Sequence, residues 1–339
     1  MTLKSKITNK FNIVILITLS FLVLYFSLKD DFAGIIQTIM DINFWWFLIG
    51  VILMFGYWFF RALAFHGLVL KFDKKYDFKR TFGLIMLTQF FNGVTPFATG
   101  GQPLVVYTLK KDGLKVSDST NIVVQDFITY QIALITLGSL AILYNYLFNI
   151  FAEVQLLKEI VLVGFLINVA VVIGLFTVAF ARKFNQMVVK YSIKIMSKLK
   201  IVKDKDKVID RWEEKINNFH DGASILMKDK KHFAMNILLN ATAMISLYLI
   251  PLAILFSMRD YYSINGLTAI VTSAYIMLVS AFIPSPGSAG GIEWAFIAFF
   301  SNFITGSVLN AMMILWRLLT YYMGLTIGAI VFNIWRKRD

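Results

Sequence analysis

No cysteine occurs anywhere in the 339 residues. That excludes disulfides, thiolate metal sites and cysteine nucleophiles in one step. Only three histidines are present: His66 reads as marking the end of an apolar run, and His220 and His232 as interfacial. No metal-ligand pair emerges, and no metal or other cofactor is expected. Charge is scarce too. Only 16% of residues are charged, against about a quarter in soluble proteins. There is no nucleotide-binding motif, so nothing points to ATP as an energy source. The first apolar run is not followed by an Ala-x-Ala-like cleavage site and is expected to be retained.

What the chain has instead is apolar length. Hydrophobic residues make up 58% of it, with a mean hydropathy of +0.70, and they come in blocks. Blocks at about 11–28, 44–70, 119–147, 159–180, 233–257 and 308–335 each reach the ~18–20 residues that cross a ~30 Å hydrocarbon core. Bare backbone polar groups are not tolerated in lipid, so these blocks must be helices. The expectation is an all-α integral membrane protein, a single multi-pass domain of the cytoplasmic membrane, with six full spans.

The net charge of +13 suggests nucleic acid until its distribution is read. Basic residues cluster at Lys4, Lys6 and Lys10, at 71–80, at 110–115, in 181–231 and at 336–338, while the alternate loops hold only Lys29, Lys158 and Arg259. This is the positive-inside pattern, and it puts both termini in the cytoplasm. Trp45, Trp46, Tyr144, Tyr146, Tyr261, Tyr262 and Trp335 sit near span ends, as an aromatic belt requires. No nucleic-acid partner is needed.

The segment 181–231 holds fourteen Lys/Arg against seven Asp/Glu. Phe184, Met187, Val188, Tyr191, Ile195 and Leu199 recur at helical spacing, opposite Lys190, Lys194 and Lys198. A second stripe follows at Val208, Trp212, Ile216, Phe219 and Ala223. Two amphipathic helices on anionic inner-leaflet lipids satisfy this pattern; a solvated helical linker is the plainer alternative. The segment is too short for a catalytic domain.

Two apolar stretches, 81–109 and 265–304, are interrupted. The first carries Asn-Gly-Val-Thr-Pro-Phe-Ala-Thr-Gly-Gly-Gln-Pro at 92–103, the second Pro-Ser-Pro-Gly-Ser-Ala-Gly-Gly-Ile-Glu at 284–293. Proline and Gly-Gly break a helix. The few residues left after the first break are too short to cross, so each stretch is expected to dip in and return as a re-entrant hairpin. Both breaks read Pro-x3-Gly-Gly, with Thr95 or Ser285 just before the proline, and both lie between matching spans. The charge map opens one hairpin to the cytoplasm and the other outward. That predicts an inverted repeat with halves at about 44–147 and 233–335, the pattern of alternating-access transporters.

Where a chain restarts as a helix, its first amides lack acceptors and carry the positive end of the dipole, which suits an anion. The candidate substrate-binding set therefore includes Asn92, Thr95, Thr99, Gly100, Gly101 and Gln102 at one break. Ser285, Ser288, Gly290, Gly291 and Glu293 answer them at the other. Close helix packing is the plainer role for the glycines. Arg61 and Asp126 lie at similar depth and are able to pair, and Arg317 and Glu293 read as their counterparts in the second half. The arginines would bind a phosphate, and the carboxylates a cationic group or a proton; a structural ion pair is the competing reading. Gln89, Gln125 and Gln131 add polarity at depth.

At these residues the chain resembles the flippase-like, lysylphosphatidylglycerol-synthase transmembrane-region family. The carriers are Asn92 to Pro96 with Gly100 to Pro103, and Pro284 to Pro286 with Gly290 to Glu293. The resemblance implies translocation of a phosphate-bearing lipid, an aminoacyl-phosphatidylglycerol or a lipid-linked sugar, between leaflets. Longer relatives append an aminoacyltransferase domain. Here the chain stops at Asp339, so no synthase activity is expected. The alternative is a secondary transporter or channel for a small solute with a midplane site. An intramembrane enzyme using Ser288 with His66 as base has no orienting carboxylate in its favour. An oligomer is compatible with the sequence.

Overall fold

The computed structural model describes residues 32–151, 155–198, 208–209, 212–213, 216–217, 220–221, 223–224, 228–280 and 283–338. Among them every regular element is helical, with no strand. The expected span at 11–28 lies outside the described residues; of the second amphipathic stripe, Val208, Trp212, Ile216 and Ala223 are helical and Phe219 lies outside them.

The helices are α1 Phe32–Met40, α2 Phe44–Val69, α3 Phe78–Gly93, α4 Gly101–Lys111, α5 Val116–Phe148, α6 Gln155–Phe180 and α7 Arg182–Lys198. They continue as α8 Lys230–Tyr248, α9 Ile250–Ser257, α10 Gly266–Ser280, α11 Gly291–Phe300, α12 Gly306–Arg317 and α13 Met323–Arg338. Side-chain caps mark several starts. Asn43 Oδ1 accepts from the Trp45 amide at 3.0 Å, Asp77 Oδ1 from Lys79 at 3.3 Å, and Asp229 Oδ1 from His232 at 3.0 Å. Each satisfies a donor the helix itself leaves free. Asn149 ends α5 in a left-handed turn, φ 48°.

Five stretches are long and apolar enough to cross a membrane, and they match five of the six expected spans. Two of them are not continuous α-helix. Pro251 in the first turn of α9 divides 230–257, because it lacks the amide that would continue the ladder. A π-helical turn at Leu318–Tyr322 joins α12 to α13. Helix α1 was not expected; it packs against α12. The outer faces of α5 and α6 expose Leu140, Leu143, Leu162, Val163 and Leu166, an apolar surface that makes sense only against lipid. Helix α7 is amphipathic as expected, exposing Phe184, Met187, Val188, Tyr191 and Ile195.

The interrupted stretches fold as two helix–break–helix units. Their helices contain 16 and 11 residues in the first and 15 and 10 in the second. At 1.5 Å per residue none exceeds about 24 Å, short of a ~30 Å core. In each unit the two helices pack on each other, and the tips, Pro96–Ala98 and Pro286–Ser288, meet. Part of the packing recurs between residues 44–148 and 230–338: α3 lies on α13 as α10 lies on α5, and α2 lies on α8. Small residues permit the approach, since lipid offers no hydrophobic drive for helix association. Gly138 on α5 faces Leu278 of α10, and Gly328 on α13 faces Met86 and Phe90 of α3. These glycines are separated by the same length of chain as Pro96 and Pro286.

Candidate functional site

The two tips are built alike for three residues. After Pro96, Phe97 and Ala98 are left-handed, with φ 53° and 50°; after Pro286, Gly287 and Ser288 repeat this at 59° and 54°. Only Gly287 adopts that conformation at no steric cost. The tips then diverge. Thr99 and Gly100 are right-handed, φ −97° and −74°, whereas Ala289 is extended and Gly290 has φ 86°.

Between the tips lies a cavity of about 700 Å³. Of the candidate residues, Arg61, Asp126, Asn92, Thr99 and Gln102 line it from the first half, and Ser288 and Arg317 from the second. Thr95, Gly100, Gly101, Ser285, Gly290, Gly291 and Glu293 do not.

Three of the amides expected to face an anion, those of Gly100, Gly101 and Gly290, are already bonded. Asn92 Oδ1 accepts from the Gly101 amide at 2.8 Å and Thr95 Oγ1 from that of Gly100 at 2.9 Å. Glu293 Oε2 accepts from the Gly290 amide at 2.7 Å. The expectation of free amides is therefore corrected at these three positions, which the chain caps itself. A side chain at Gly101 would meet Thr88 Cγ2 at 2.5 Å and Asn92 Oδ1 at 2.6 Å, and one at Gly291 would meet Ile283 Cδ1 at 2.6 Å. These glycines serve close packing. Ser285 Oγ donates to the Ala289 carbonyl at 2.7 Å and stiffens the second tip.

The charged groups carry the cavity's chemistry. Arg61 makes a two-pronged pair with Asp126, Nη1 to Oδ1 at 3.1 Å and Nη2 to Oδ2 at 2.9 Å. Its Nη1 also donates to Asn240 Oδ1, and its guanidinium lies 4.7 Å from the centre of the Tyr130 ring. Arg317 Nε sits 2.6 Å from Glu293 Oε1, Nη2 donates to the Gly287 carbonyl at 3.3 Å, and Tyr321 lies under the guanidinium at 4.2 Å. The pairs form as the sequence suggests, but not as positional equivalents. Arg61 and Asp126 join the spans flanking the first hairpin, whereas Arg317 joins a span to the second hairpin itself. The second pair is also the more enclosed, with side chains 7% exposed against 13–14%.

Tyr321 Oη donates to the Gly93 carbonyl at 3.1 Å, tying the span of one half to the hairpin of the other. Gln131 Nε2 donates to Asn168 Oδ1 at 3.2 Å on the cavity wall. Gln102 Oε1 is buried there with no partner among the described residues. Asn168, Asn240, Tyr57 and Tyr130 were missed by the sequence reading, although an asparagine in the middle of an apolar span is itself a signal. Ser288 Oγ contacts the Ser280 carbonyl and His66 Nδ1 the Thr81 hydroxyl, so the imagined nucleophile and base are not joined. No group of three or more metal-ligating side chains gathers among the described residues.

The cavity wall carries two guanidinium groups, each paired with a carboxylate. In sequence, the chain matches the family described as the lysylphosphatidylglycerol synthase TM region over residues 13–328. It is also 24% identical over 311 residues to a UPF0104 membrane protein of Archaeoglobus fulgidus, covering 84% of this chain and 85% of that one.

Proposed function

The chain belongs to the lysylphosphatidylglycerol synthase TM region family, and from that premise we propose that it moves a phosphate-bearing lipid between the leaflets of the cytoplasmic membrane. The observation that carries this reading is the pair of arginines on one membrane-depth cavity. A phosphate monoanion entering there exchanges with Asp126 for the two-pronged face of Arg61. A headgroup that also bears an ammonium, such as an aminoacyl-phosphatidylglycerol, offers Asp126 a new partner at once. Such a ligand replaces the internal pair charge for charge, without leaving a bare ion in a low-dielectric site. Gln102 Oε1 accepts a further donor; a lipid-linked sugar supplies hydroxyls for it. At about 700 Å³ the cavity suits a headgroup of ligand-pocket size, while the acyl chains stay in the bilayer beside Phe97, which is 57% exposed.

The topology in this reading has both termini in the cytoplasm, two re-entrant hairpins and an inverted repeat. The matched left-handed tips and the recurring packing support it, and the repeat supplies alternating access by rocking one half on the other. Helix α7, with Phe184 and Tyr191 beside Lys190 and Lys194, rests on anionic inner-leaflet lipid. No covalent step on the substrate is proposed.

The cavity volume also fits a small anionic solute, so the test must separate the two. Lipids retained by gently purified protein are identified by mass spectrometry, and a fluorescent analogue of the enriched species is followed across reconstituted vesicles. Enrichment of a phosphate-bearing lipid, and translocation at least tenfold slower in Arg61→Ala, is the expected result. Proton-coupled uptake of a small anion with no lipid crossing would transfer the site to the solute reading.

A further inference from the structure

Away from the cavity, a second set of polar side chains is buried with nothing to bond. Asn121 and Gln125 on α5 and Asn236 on α8 are at most 1% exposed. None of their side-chain nitrogens or oxygens has a hydrogen-bond partner among the described residues; the His232 imidazole, next in line on α8, bonds the Gly67 backbone. They are not scattered. Asn121, Gln125 and Thr129 recur every four positions on α5, and His232, Asn236 and Asn240 do so on α8. Each triplet therefore lies along one helix face.

The two faces meet and run together. Asn240 Nδ2 donates to Thr129 Oγ1 at 3.2 Å. Arg61 bonds Asp126 while Tyr57 bonds Tyr130, so α2 and α5 are antiparallel. Gly67 lies against His232 and Asn236 while Arg61 bonds Asn240, so α2 and α8 are antiparallel too. Helices α5 and α8 are thus parallel, and both triplets lead from Thr129 and Asn240 to the end of the bundle that carries Lys71 and Asp229. At their inner end is the Arg61–Asp126 pair, to which Asn240 is already bonded.

Buried polar groups are almost always satisfied, by protein or by ordered water. Three primary amides and an imidazole in two facing rows have the polarity and the number of donors and acceptors to hold water. We propose that α5 and α8 enclose a narrow hydrated proton path from the basic end of the bundle to Asp126. The proposal rests on the lipid-translocation reading and supplies its driving force. A proton passed along the path joins the Asp126 carboxylate, leaving a neutral carboxylic acid and water. Arg61 keeps its charge and is free to hold the incoming phosphate. Facing Asp126 are Arg61 from α2, Asn240 from α8 and, beside the arginine, the Tyr57–Tyr130 pair. Arginine and tyrosine ordinarily keep their protons near neutral pH, which leaves the Asp126 carboxylate as the proton acceptor at the end of the path.

The test uses the reconstituted full chain and the carboxyl infrared band that appears after a drop in pH, assigned by its loss in Asp126→Asn. The band should rise when the drop is applied on the side bearing Lys71 and Asp229. It should rise at least tenfold more slowly in the double variant Asn121→Leu, Asn236→Leu. Leucine removes the unsatisfied amides and so should not impair folding. Serine at both positions, which leaves room for water, should restore the rate. A band that never forms, that forms from the opposite side, or that is undiminished in the leucine variant overturns the path. Fluorescent phospholipid translocation in the same vesicles separates the two ideas. If phospholipid fails to cross while the band behaves as expected, the translocation reading falls and the path stands. If phospholipid crosses while the leucine variant leaves the band unchanged, the path falls alone.

Discussion

The two hairpins carry their charge at opposite ends. The first has a neutral tip, where Asn92 and Thr95 cap α4, and a charged base, where Arg80 on α3 pairs with Asp112 just past α4 at 2.8 Å. The second has a charged tip, where Glu293 caps α11 and holds Arg317. Its base is neutral, with Asn265 Oδ1 accepting from the Thr268 amide at 2.9 Å and Asn302 Nδ2 donating to the Phe299 carbonyl at 2.8 Å. No ion pair joins that base among the described residues. A charge at a hairpin base sits beside water and costs little. A charge at a tip is enclosed among the helices, as the 7% exposure of Arg317 and Glu293 shows, and must be paired. The second tip is therefore the more committed structure and the first the more adaptable one, although both face the same cavity.

The sharpest way to break this contrast is to remove one arginine at a time. Arg317→Ala strands Glu293 in a nearly closed site and frees the Gly287 carbonyl; a loss of about 3–5 kcal/mol is expected. Arg61→Ala leaves Asp126 beside a cavity and should cost roughly half as much, while abolishing translocation. Thermal unfolding of the detergent-solubilised variants measures both. Equal destabilisation would mean that the two pairs are equivalent structural bridges.

The next effect concerns backbone. A side chain at Gly287 would run into the Tyr321 ring, whose hydroxyl holds the Gly93 carbonyl, and would adopt a left-handed φ. Gly287→Val is expected to cost about 2–3 kcal/mol. Phe97→Gly, at the matching position, relieves left-handed strain as it gives up apolar contact and should stay within about 1 kcal/mol of the parent. Should Phe97→Gly prove the more damaging, the first tip is not the adaptable one.

Much of this was legible before the fold. Apolar length dictated the spans, and the Pro-x3-Gly-Gly breaks located both tips, because proline and glycine act through local backbone geometry. Pairing of Arg61 with Asp126 followed from depth alone. The inference from the glycines to free amides failed at Gly100, Gly101 and Gly290. Whether an amide is free depends on side chains that fold back onto it, and Asn92, Thr95 and Glu293 do so here. The role of Tyr321, which crosses from one half to the other, had no local signal. Helix α1 was hidden by being too short to read as a span, and the Asn121–Gln125 and Asn236–Asn240 rows only acquire meaning once α5 and α8 are seen to be neighbours.

The smallest expected effect tests the base of the first hairpin. Tyr76 Oη donates to Asp112 Oδ2 at 2.5 Å, while Arg80 reaches both carboxylate oxygens, Nη2 at 2.8 Å and Nε at 3.1 Å. Partial burial, reinforced by the bond to Asp112, holds the Tyr76 hydroxyl well above its ordinary value of 10.0. A tyrosine whose proton is held more tightly in the folded state contributes its full stability below the unfolded value. That contribution is lost as pH rises from about 10 toward the folded value. Stability should therefore fall more steeply between about pH 10 and 11 in the parent than in Tyr76→Phe, which lacks the titrating group. At neutral pH the variant should lose only about 0.5–1.5 kcal/mol, one hydrogen bond, because Arg80 still satisfies the carboxylate. The second hairpin has no counterpart, so single cysteines beside its base should keep the same thiol-labelling rate across that range once corrected for thiol ionisation, while those beside Asp112 speed up. A parallel rise at both bases would mean that alkali loosens the whole bundle, and the latch at Tyr76, Arg80 and Asp112 would lose its special role.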